Sequence, residues 1–312
     1  MMQSALLNSI RLGRSPHAIL ISGPVGSGRS TLARRAAAVH CLGVDALEAL
    51  SECPNYLELN GKEIGIERVR KLVESAGLAG FNGGSRAYVI LDAHRMGEPS
   101  QNALLKTLEE PPADLLIVLT GSETGLLPTI RSRVMTVRLG AKPVSAVADE
   151  LRDAGVSPRD ASLYAALSGG VSGRARSLAS PEGASFRNAA IDALQDALFG
   201  VPPFQTVSEL IRGDKAGETA ADGKKLKADP EKALLALSHW SSVLRDALLN
   251  RLHAVGTVNS DRAALIDRIA SCFTEAQIQS IIGLLEQSEQ RITRRANVQY
   301  TMDGCIASLL RQ

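Results

Sequence analysis

The chain has 312 residues, of which 45% are hydrophobic, so it is long enough for two or three domains with cores of their own. Its 35 basic and 33 acidic residues leave a net charge of +2, and aromatic residues make up only 3%. This balance argues against a strongly basic nucleic-acid binder, and the few aromatics argue against a platform for stacking single-stranded bases. Any contact with DNA would be local or shared with other subunits.

Targeting and disulfide signals are lacking in this sequence. Four cysteines (Cys41, Cys53, Cys272 and Cys305) are too few for a disulfide scaffold in a chain of this size. The first residues do not form a charged region followed by a long apolar one, as a signal peptide would. No apolar run approaches the roughly 18 residues that span a membrane. We therefore expect a cytoplasmic, reduced protein with no membrane partner.

The first 140 residues alternate short apolar runs with longer amphipathic stretches. Strands are predicted at Ala18–Ile21, Tyr56–Leu59, Tyr88–Leu91, Leu115–Leu119 and Val134–Val137. Helices are predicted from Thr31 to Val39, along the spaced residues Ile66, Val69, Val73 and Leu78, and from Pro99 to Glu110. This alternation predicts an α/β domain at 1–140, with a parallel sheet and helices on both faces.

No strand is predicted after Gly140. We expect a small helical domain at 141–182 and a second helical domain at 183–312. In the latter, Leu237, Trp240, Leu244 and Leu248 recur at the spacing of one helix face. The polar, charged segment 213–230 is predicted to be a mobile loop between helices.

A glycine-rich loop follows the first predicted strand and reads Gly23-Pro24-Val25-Gly26-Ser27-Gly28-Arg29-Ser30. It matches the phosphate-binding pattern G-x-x-x-x-G-K-[ST], except that Arg29 replaces the lysine. The candidate nucleotide-binding residues are Gly23, Gly26, Gly28, Arg29, Ser30 and Thr31. Glycines let backbone N–H groups approach phosphate, the helix adds its positive end, and the serine would hold Mg²⁺. A planar guanidinium does not reproduce the geometry of an ammonium group, so we expect ATP and Mg²⁺ to bind weakly or not at all. A plain glycine-rich turn is the alternative.

The third predicted strand ends on Asp92. An aspartate that ends a buried strand beside a phosphate loop faces Mg²⁺ in this class of ATPase. Oligomeric ATPases of this kind need a glutamate immediately afterwards to orient the attacking water, and here that position is Ala93. Hydrolysis by this chain is therefore not expected. The alternative is that Asp92 only ends the strand or caps a turn.

Two arginines, Arg131 and Arg133, flank Ser132 just before the last predicted strand. From spacing alone, we expect them to pair within the domain or to lie on the surface.

Three segments, Ser15–Pro24, Asn102–Pro112 and Leu127–Arg133, together resemble the bacterial DNA polymerase III clamp-loader family. The resemblance is specific over 14–137 and weaker, but consistent, in the helical remainder. It implies an AAA+ P-loop domain, followed by an all-α lid and an all-α C-terminal collar that closes a five-subunit ring. The implied partners are the motor (tau/gamma) and delta subunits, the sliding clamp, and primed DNA in the assembled complex.

The same resemblance assigns roles to two further sites. Ser132-Arg133 matches the start of the family's Ser-Arg-Cys motif, with Val134 in the cysteine position. In the family, this arginine reaches into the ATP site of the adjacent motor subunit. Arg174 aligns loosely with the lid arginine that senses nucleotide. The two altered motifs would serve an ATP site on this chain, whereas the preserved Ser132-Arg133 motif would serve the site of a neighbouring subunit. This combination predicts a non-motor subunit. An active motor ATPase and a purely structural scaffold are the alternatives.

Many members of the family carry a four-cysteine zinc module between the first helix and the second strand. In that region the chain has only Cys41 and Cys53, with eleven residues between them. Because such a site needs four thiolates, we predict that zinc is absent.

Overall fold

The computed structural model describes residues 2–61, 64–77, 80–212 and 227–311. It divides into two compact units, the first comprising Met1–Lys142 with Val171–Arg174, the second Pro143–Gly170 with Ala175–Gln312. The predicted helical position Leu78 and most of the loop predicted at 213–230 lie outside the described residues. The division into three domains at 140 and 182 stays a prediction.

A parallel sheet forms the centre of the first unit. Its strands are β1 (Ala18–Ser22), β2 (Tyr56–Asn60), β3 (Arg86–Leu91), β4 (Leu115–Gly121) and β5 (Met135–Arg138). They pair in the order β2-β3-β4-β1-β5, and every pair is parallel. Each of the five predicted strands is present, within two residues of its predicted bounds.

Helices cover both faces of this sheet. They are α1 (Met2–Arg11), α2 (Arg29–Leu42), α3 (Leu47–Leu50), α4 (Ile66–Ala76), α5 (Glu98–Glu109) and α6 (Pro128–Arg131). In β1, Ile19 and Ile21 join an apolar cluster with α1 and α2, while Ala18 and Leu20 join another with α4 and α5. Burial on both faces explains why the strand is a continuous apolar run rather than an alternating one.

Arg86 begins β3 as a buried charge, only 5% exposed. Its Nε and Nη2 donate to the carboxylate of Asp114, both at 3.1 Å, and its Nη1 donates to the carbonyls of Ser75 and Ala76 at the end of α4. The hydrogen bonds from Arg86 hold the pKa of the Asp114 carboxyl below its usual range. A guanidinium with several partners can be buried without being left unsatisfied, and it ties a helix end to the sheet.

The remaining elements are helical. They are α7 (Val144–Asp153), α8 (Pro158–Leu167), α9 (Ser172–Ala179), α10 (Pro181–Leu198), α11 (Phe204–Arg212), α12 (Pro230–Arg251), α13 (Ala263–Cys272), α14 (Glu275–Thr293) and α15 (Val298–Leu309). The predicted face on α12 lies in the core of the second unit. Leu237, Trp240 and Leu244 are buried, Leu248 packs at the edge, and the indole Nε1 donates to the carbonyl of Ala190 at 2.6 Å. Over the described ranges, no helix is both long and apolar enough to cross a membrane.

A buried polar cluster organises one side of the second unit. Arg187 on α10, 2% exposed, donates to both carboxylate oxygens of Asp261 at 2.7 and 2.9 Å, and to the side-chain oxygen of Asn259 at 2.8 Å. Asp246 on α12, fully buried, accepts hydrogen bonds from the backbone N–H groups of Val258 and Asn259. These contacts fix the segment between α12 and α13 against two helices.

Candidate functional site

The candidate site lies where β1, β3 and β4 end at the carboxyl edge of the sheet, the usual location of ligands in α/β folds. The chain leaves β1 at Gly23 and enters α2 at Arg29, with Gly28 as the N-cap residue. Gly23, Gly26 and Gly28 have φ values of 154°, 85° and 91°, a region that favours glycine. The predicted strand, loop and helix are therefore all present. Ser30 and Thr31 lie in the first turn of α2, the former partly exposed and the latter exposed.

The side chain of Arg29 folds back into this loop. Its Nη1 donates to the carbonyl of Gly23 at 2.8 Å, and its Nη2 donates to Oδ1 of Asp92 at 3.2 Å. The Arg29 side chain is 10% exposed and that of Asp92 is 29% exposed. The positive charge that the phosphate-loop pattern places here is thus already engaged by two groups of the protein itself.

Asp92 follows β3 in the left-handed region, with φ 48°. Its carbonyl accepts the N–H of Arg95 at 2.8 Å, and its own N–H donates to Oγ1 of Thr120 at 3.0 Å. The aspartate therefore starts a turn, as one alternative held, but its carboxylate also pairs with the phosphate loop. The sequence interpretation does not include Thr120, which is 1% exposed near the end of β4. A polar residue closing a buried apolar strand is the signal that could have identified it.

His94 is a second residue of the site that the sequence interpretation does not include. A Cβ placed on Gly121 would lie 2.5 Å from its Nδ1, so the imidazole packs directly on that backbone. Among the described residues this buried Nδ1 has no hydrogen-bond partner. Burial lowers the pKa of His94 below its ordinary value, the charge of Asp92 opposes the shift, and Arg29 adds to it. The ring is therefore neutral at pH 7.

Ala93, where the sequence interpretation expects a water-orienting glutamate in an active ATPase, is fully buried in the apolar cluster that includes α4 and α5. The surroundings of this position are apolar side chains. A carboxylate attached there would have to be buried or would have to displace the backbone.

Residues 171–174 lie against the phosphate loop. The N–H of Gly173 donates to the carbonyl of Gly26 at 3.0 Å, and a Cβ on Gly26 would come within 2.9 Å of the backbone nitrogen of Arg174. The Arg174 side chain is exposed. The structure thus brings the backbone of Arg174 beside the loop, while its role in sensing nucleotide stays a prediction.

The fit of these residues to a magnesium nucleotide can be judged from Arg29. The carboxylate of Asp92, which would face Mg²⁺, accepts a hydrogen bond from the guanidinium, and the same guanidinium engages the carbonyl of Gly23. Mg²⁺ prefers oxygen ligands, and the guanidinium of Arg29 occupies the oxygen that Asp92 would offer to the metal. In this arrangement the loop does not fit ATP with Mg²⁺.

Arg133 occupies a different environment, after the end of α6. Its Nη1 donates to the carbonyl of Thr129 at 2.9 Å and to Oγ of Ser132 at 3.2 Å, and its Nη2 lies 2.7 Å from Oε1 of Glu109. The side chains of Arg133 and Glu109 are 35% and 49% exposed. As expected from spacing alone, the arginine pairs within its own unit at the surface. Ser132 is exposed, and its hydroxyl donates to the same carbonyl of Thr129 at 3.0 Å.

Cys41 and Cys53 lie in the region where the resemblance raised the question of a zinc module. The thiol of Cys41 lies 3.7 Å from the carbonyl oxygen of Asn55, and burial raises the pKa of this thiol to about 12. Over residues 2–61, 64–77, 80–212 and 227–311, no group of three or more His, Cys, Asp or Glu residues could hold a metal ion. The absence of zinc from the protein stays a prediction.

The chain resembles known proteins in both sequence and structure. Residues 2–143 match the family described as DNA polymerase III, delta subunit. The chain is 29% identical to the delta-prime subunit of DNA polymerase III from Escherichia coli K12 over 298 residues, covering 89% of this chain and 83% of that protein. It is 32% identical over 180 residues to the delta-prime subunit of Bacillus subtilis 168, covering 53% and 55%.

A solved structure supports the fold. The DNA polymerase III gamma subunit-related protein of Thermotoga maritima matches with a TM-score of 0.51 and 17% identity, covering 98% of both chains. The predicted fold class, an α/β AAA+ P-loop domain followed by all-α regions, is confirmed. The predicted resemblance is confirmed as well: the chain is similar to clamp-loader subunits of bacterial DNA polymerase III, delta-prime subunits among them.

Proposed function

We propose that this chain is a non-motor subunit of the DNA polymerase III clamp loader, a complex that loads the sliding clamp onto primed DNA at the expense of ATP. In this role the chain does not hydrolyse ATP itself. It assembles with the motor (tau/gamma) and delta subunits and donates Arg133 to the ATP site of a neighbouring motor subunit. The helical regions serve as lid and collar.

The observation that carries the proposal is the contrast between two arginines. Arg29 is withdrawn into the phosphate loop, where Asp92 and Gly23 engage it. Arg133 lies at the surface, paired with an exposed glutamate. A chain that hydrolysed its own ATP would need the first site open, whereas a chain that serves a neighbour needs only the second.

The pairing with Glu109 does not prevent Arg133 from acting on another molecule. An exposed ion pair contributes only about 0–1 kcal/mol, because water screens both charges. A triphosphate carries more negative charge than one carboxylate and offers the planar guanidinium several acceptor oxygens. During phosphoryl transfer, such an arginine neutralises the developing charge and accelerates the reaction by roughly 10³–10⁵.

The direct test is the clamp- and DNA-stimulated ATPase of the cognate motor subunit, reconstituted with this chain or with its Arg133→Ala variant. We expect turnover at the adjacent site to fall by roughly 10³-fold or more. Arg138→Ala is the matched control, because Arg138 also forms an exposed ion pair in the first unit, with Glu123 at 2.6 Å. The control should leave turnover unchanged.

Two results would contradict this proposal. If Arg133→Ala leaves motor turnover unchanged in a fully assembled ring, the chain is a scaffold. If the isolated chain hydrolyses ATP at the rate of a motor subunit, and Arg29→Ala abolishes that rate, the chain is an active ATPase despite its altered motifs.

A further inference from the structure

We propose that Arg29 is a built-in cation that takes the place of a metal-bound nucleotide at Asp92, so that the phosphate loop keeps its folded path with no ligand bound. The role of Arg29 in this inference is confined to the loop of its own chain. It does not depend on Arg133 or on any partner subunit.

The geometry places Arg29 as a clamp between two segments. One contact reaches the carbonyl of Gly23, where the chain leaves β1, and the other reaches the carboxylate of Asp92, where the chain leaves β3. Arg29 is itself the first residue of α2, directly after Gly28. A single side chain therefore connects the loop's first residue, the helix that follows it, and the end of β3, which β4 separates from β1 in the sheet.

The charges explain why this clamp replaces a ligand. In a working site, the strand-end aspartate is balanced by Mg²⁺ and the loop is ordered around phosphate. Here the guanidinium balances Asp92 from within the same chain, and the Arg29 side chain is 10% exposed. Residues 171–174 add a further constraint, since Gly173 donates to the carbonyl of Gly26.

Arginine suits this task better than lysine. Its planar group directs two separate N–H donors at two acceptors, one neutral and one charged, while an ammonium is a compact point charge on a flexible stem. Arg29→Lys should therefore keep the positive charge but release Asp92 or Gly23. The substitution therefore tests the two contacts of the guanidinium separately from its positive charge.

The first experiment measures ligand binding to the isolated full chain, using a methylanthraniloyl derivative of ATP with Mg²⁺ and fluorescence as the readout. We expect no saturable binding by the wild-type chain, and binding at least about tenfold tighter after Arg29→Lys. Saturable binding of equal affinity by the two chains would overturn the inference, because Asp92 would then be available to the metal nucleotide with Arg29 in place. Absence of binding by both chains would also contradict it, because Arg29 would then not be what keeps the nucleotide out.

The second experiment measures hydrogen exchange of the loop amides at 23–31 without nucleotide, together with thermal unfolding. Arg29→Ala should speed exchange in the loop and lower the melting temperature by about 2–4 °C, whereas Arg138→Ala should change neither. Unchanged exchange after Arg29→Ala would show that the loop does not need the clamp.

A third variant keeps the test decisive if Arg29→Ala does not fold. Asp92→Asn removes the negative charge that faces Arg29 and keeps the shape, so it should also speed loop exchange, by a smaller factor than Arg29→Ala. When Arg29→Ala does fold, the double variant with Asp92→Asn should melt no lower than Arg29→Ala alone, because both changes break one interaction. Fully additive losses would mean that the two residues act separately, contrary to the inference.

Discussion

Two segments of the first unit each present an arginine, and they use it in opposite ways. In the phosphate loop, Arg29 is 10% exposed and contacts a carbonyl and a carboxylate that are fixed at strand ends. In the segment after α6, Arg133 is 35% exposed and pairs with a glutamate that is itself 49% exposed. The guanidinium of Arg29 is thus engaged by groups of its own domain, whereas the guanidinium of Arg133 remains accessible to another molecule.

The difference lies in what each arginine's surroundings offer. The Arg29 side chain is only 10% exposed, so water competes less for its partners than it does at Arg133, and these partners are more costly to lose. Around Arg133, water competes with Glu109, so the pair is weak and exchangeable. The motif alone therefore does not decide whether an arginine can act on another molecule. Its burial and its partners do.

The largest effect is expected at an arginine even more deeply buried than Arg29. Arg187→Ala would leave Asp261 and Asn259 without their buried partner, and we expect it to lower the free energy of unfolding by about 3–5 kcal/mol. Urea denaturation followed by circular dichroism measures this loss. A loss of this size would make Arg187, the most buried arginine of the comparison, also the one that contributes most to stability.

The matched control for Arg187 is Arg176→Ala in the same unit. Arg176 is 64% exposed and forms a 3.4 Å pair with Glu150. This change should alter the free energy of unfolding by no more than about 0.5 kcal/mol. Similar losses in both variants would mean that burial does not govern what an arginine contributes here.

The second prediction compares two glycines of the phosphate loop. Gly26 and Gly28 have nearly equal φ values, 85° and 91°, but a Cβ on Gly26 would meet the backbone of Arg174 at 2.9 Å, while a Cβ on Gly28 meets nothing within 4 Å. Gly28→Ala should cost about 1 kcal/mol, from backbone strain alone. Gly26→Ala should cost about 2–3 kcal/mol, because the backbone at 173–174 must also move.

Thermal and urea unfolding of the two glycine variants provide the measurement. A larger loss for Gly26→Ala would support a loop that is closed by the protein itself. Equal losses would indicate that residues 171–174 move away at little cost. The phosphate loop around Arg29 would then be more open than its contacts suggest.

The third prediction concerns pH and the burial of the Arg29 region. Burial lowers the pKa of His94, so as the pH falls below about 6.5 the unfolded chain binds a proton that the folded chain does not. Stability is therefore retained above that pH and decreases as the pH falls through the lowered pKa. His94→Asn should reduce this acid-dependent loss, as measured by unfolding at a series of pH values.

The control for His94→Asn is His253→Asn, because His253 is exposed and its positive φ of 53° is tolerated by asparagine. This substitution at an exposed position controls for the general effect of replacing a histidine with asparagine. If His94→Asn behaved like the control, the imidazole would be in contact with water and the region around Arg29 would not be closed.

The smallest effect on stability is expected at Arg133, the more exposed of the two arginines. Arg133→Ala should change the free energy of unfolding by less than about 0.5 kcal/mol, because both members of the ion pair are exposed. Urea denaturation of the isolated chain measures this. A loss as large as that expected for Arg187→Ala would make Arg133 a structural residue and would remove the contrast with Arg29.

Local pattern was sufficient to predict most of the fold. The apolar runs of β1 and β4 are continuous because both faces of the sheet are buried, and Pro99 lies in the first turn of α5 as expected for a helix start. The glycine spacing predicted the phosphate loop, and the spacing of Leu237 and Trp240 predicted the buried face of α12.

The interior of the candidate site could not be predicted in the same way. Arg29 and Asp92 are 63 positions apart, and nothing local to either residue indicates that one will neutralise the other. Thr120 and His94 are single polar residues whose roles arise from the packing of neighbouring strand ends. Sequence patterns report periodicity and turn chemistry, whereas the pairing of distant side chains depends on the assembled sheet.

The burial of Ala93 has a consequence for the history of this chain. If an ancestor hydrolysed ATP, restoring that activity would require a carboxylate at a position now enclosed by apolar side chains, and the release of Asp92 from Arg29. Each change alone would destabilise the first unit without restoring catalysis. On the function proposed above, single substitutions would therefore not readily restore hydrolysis, because the core encloses position 93.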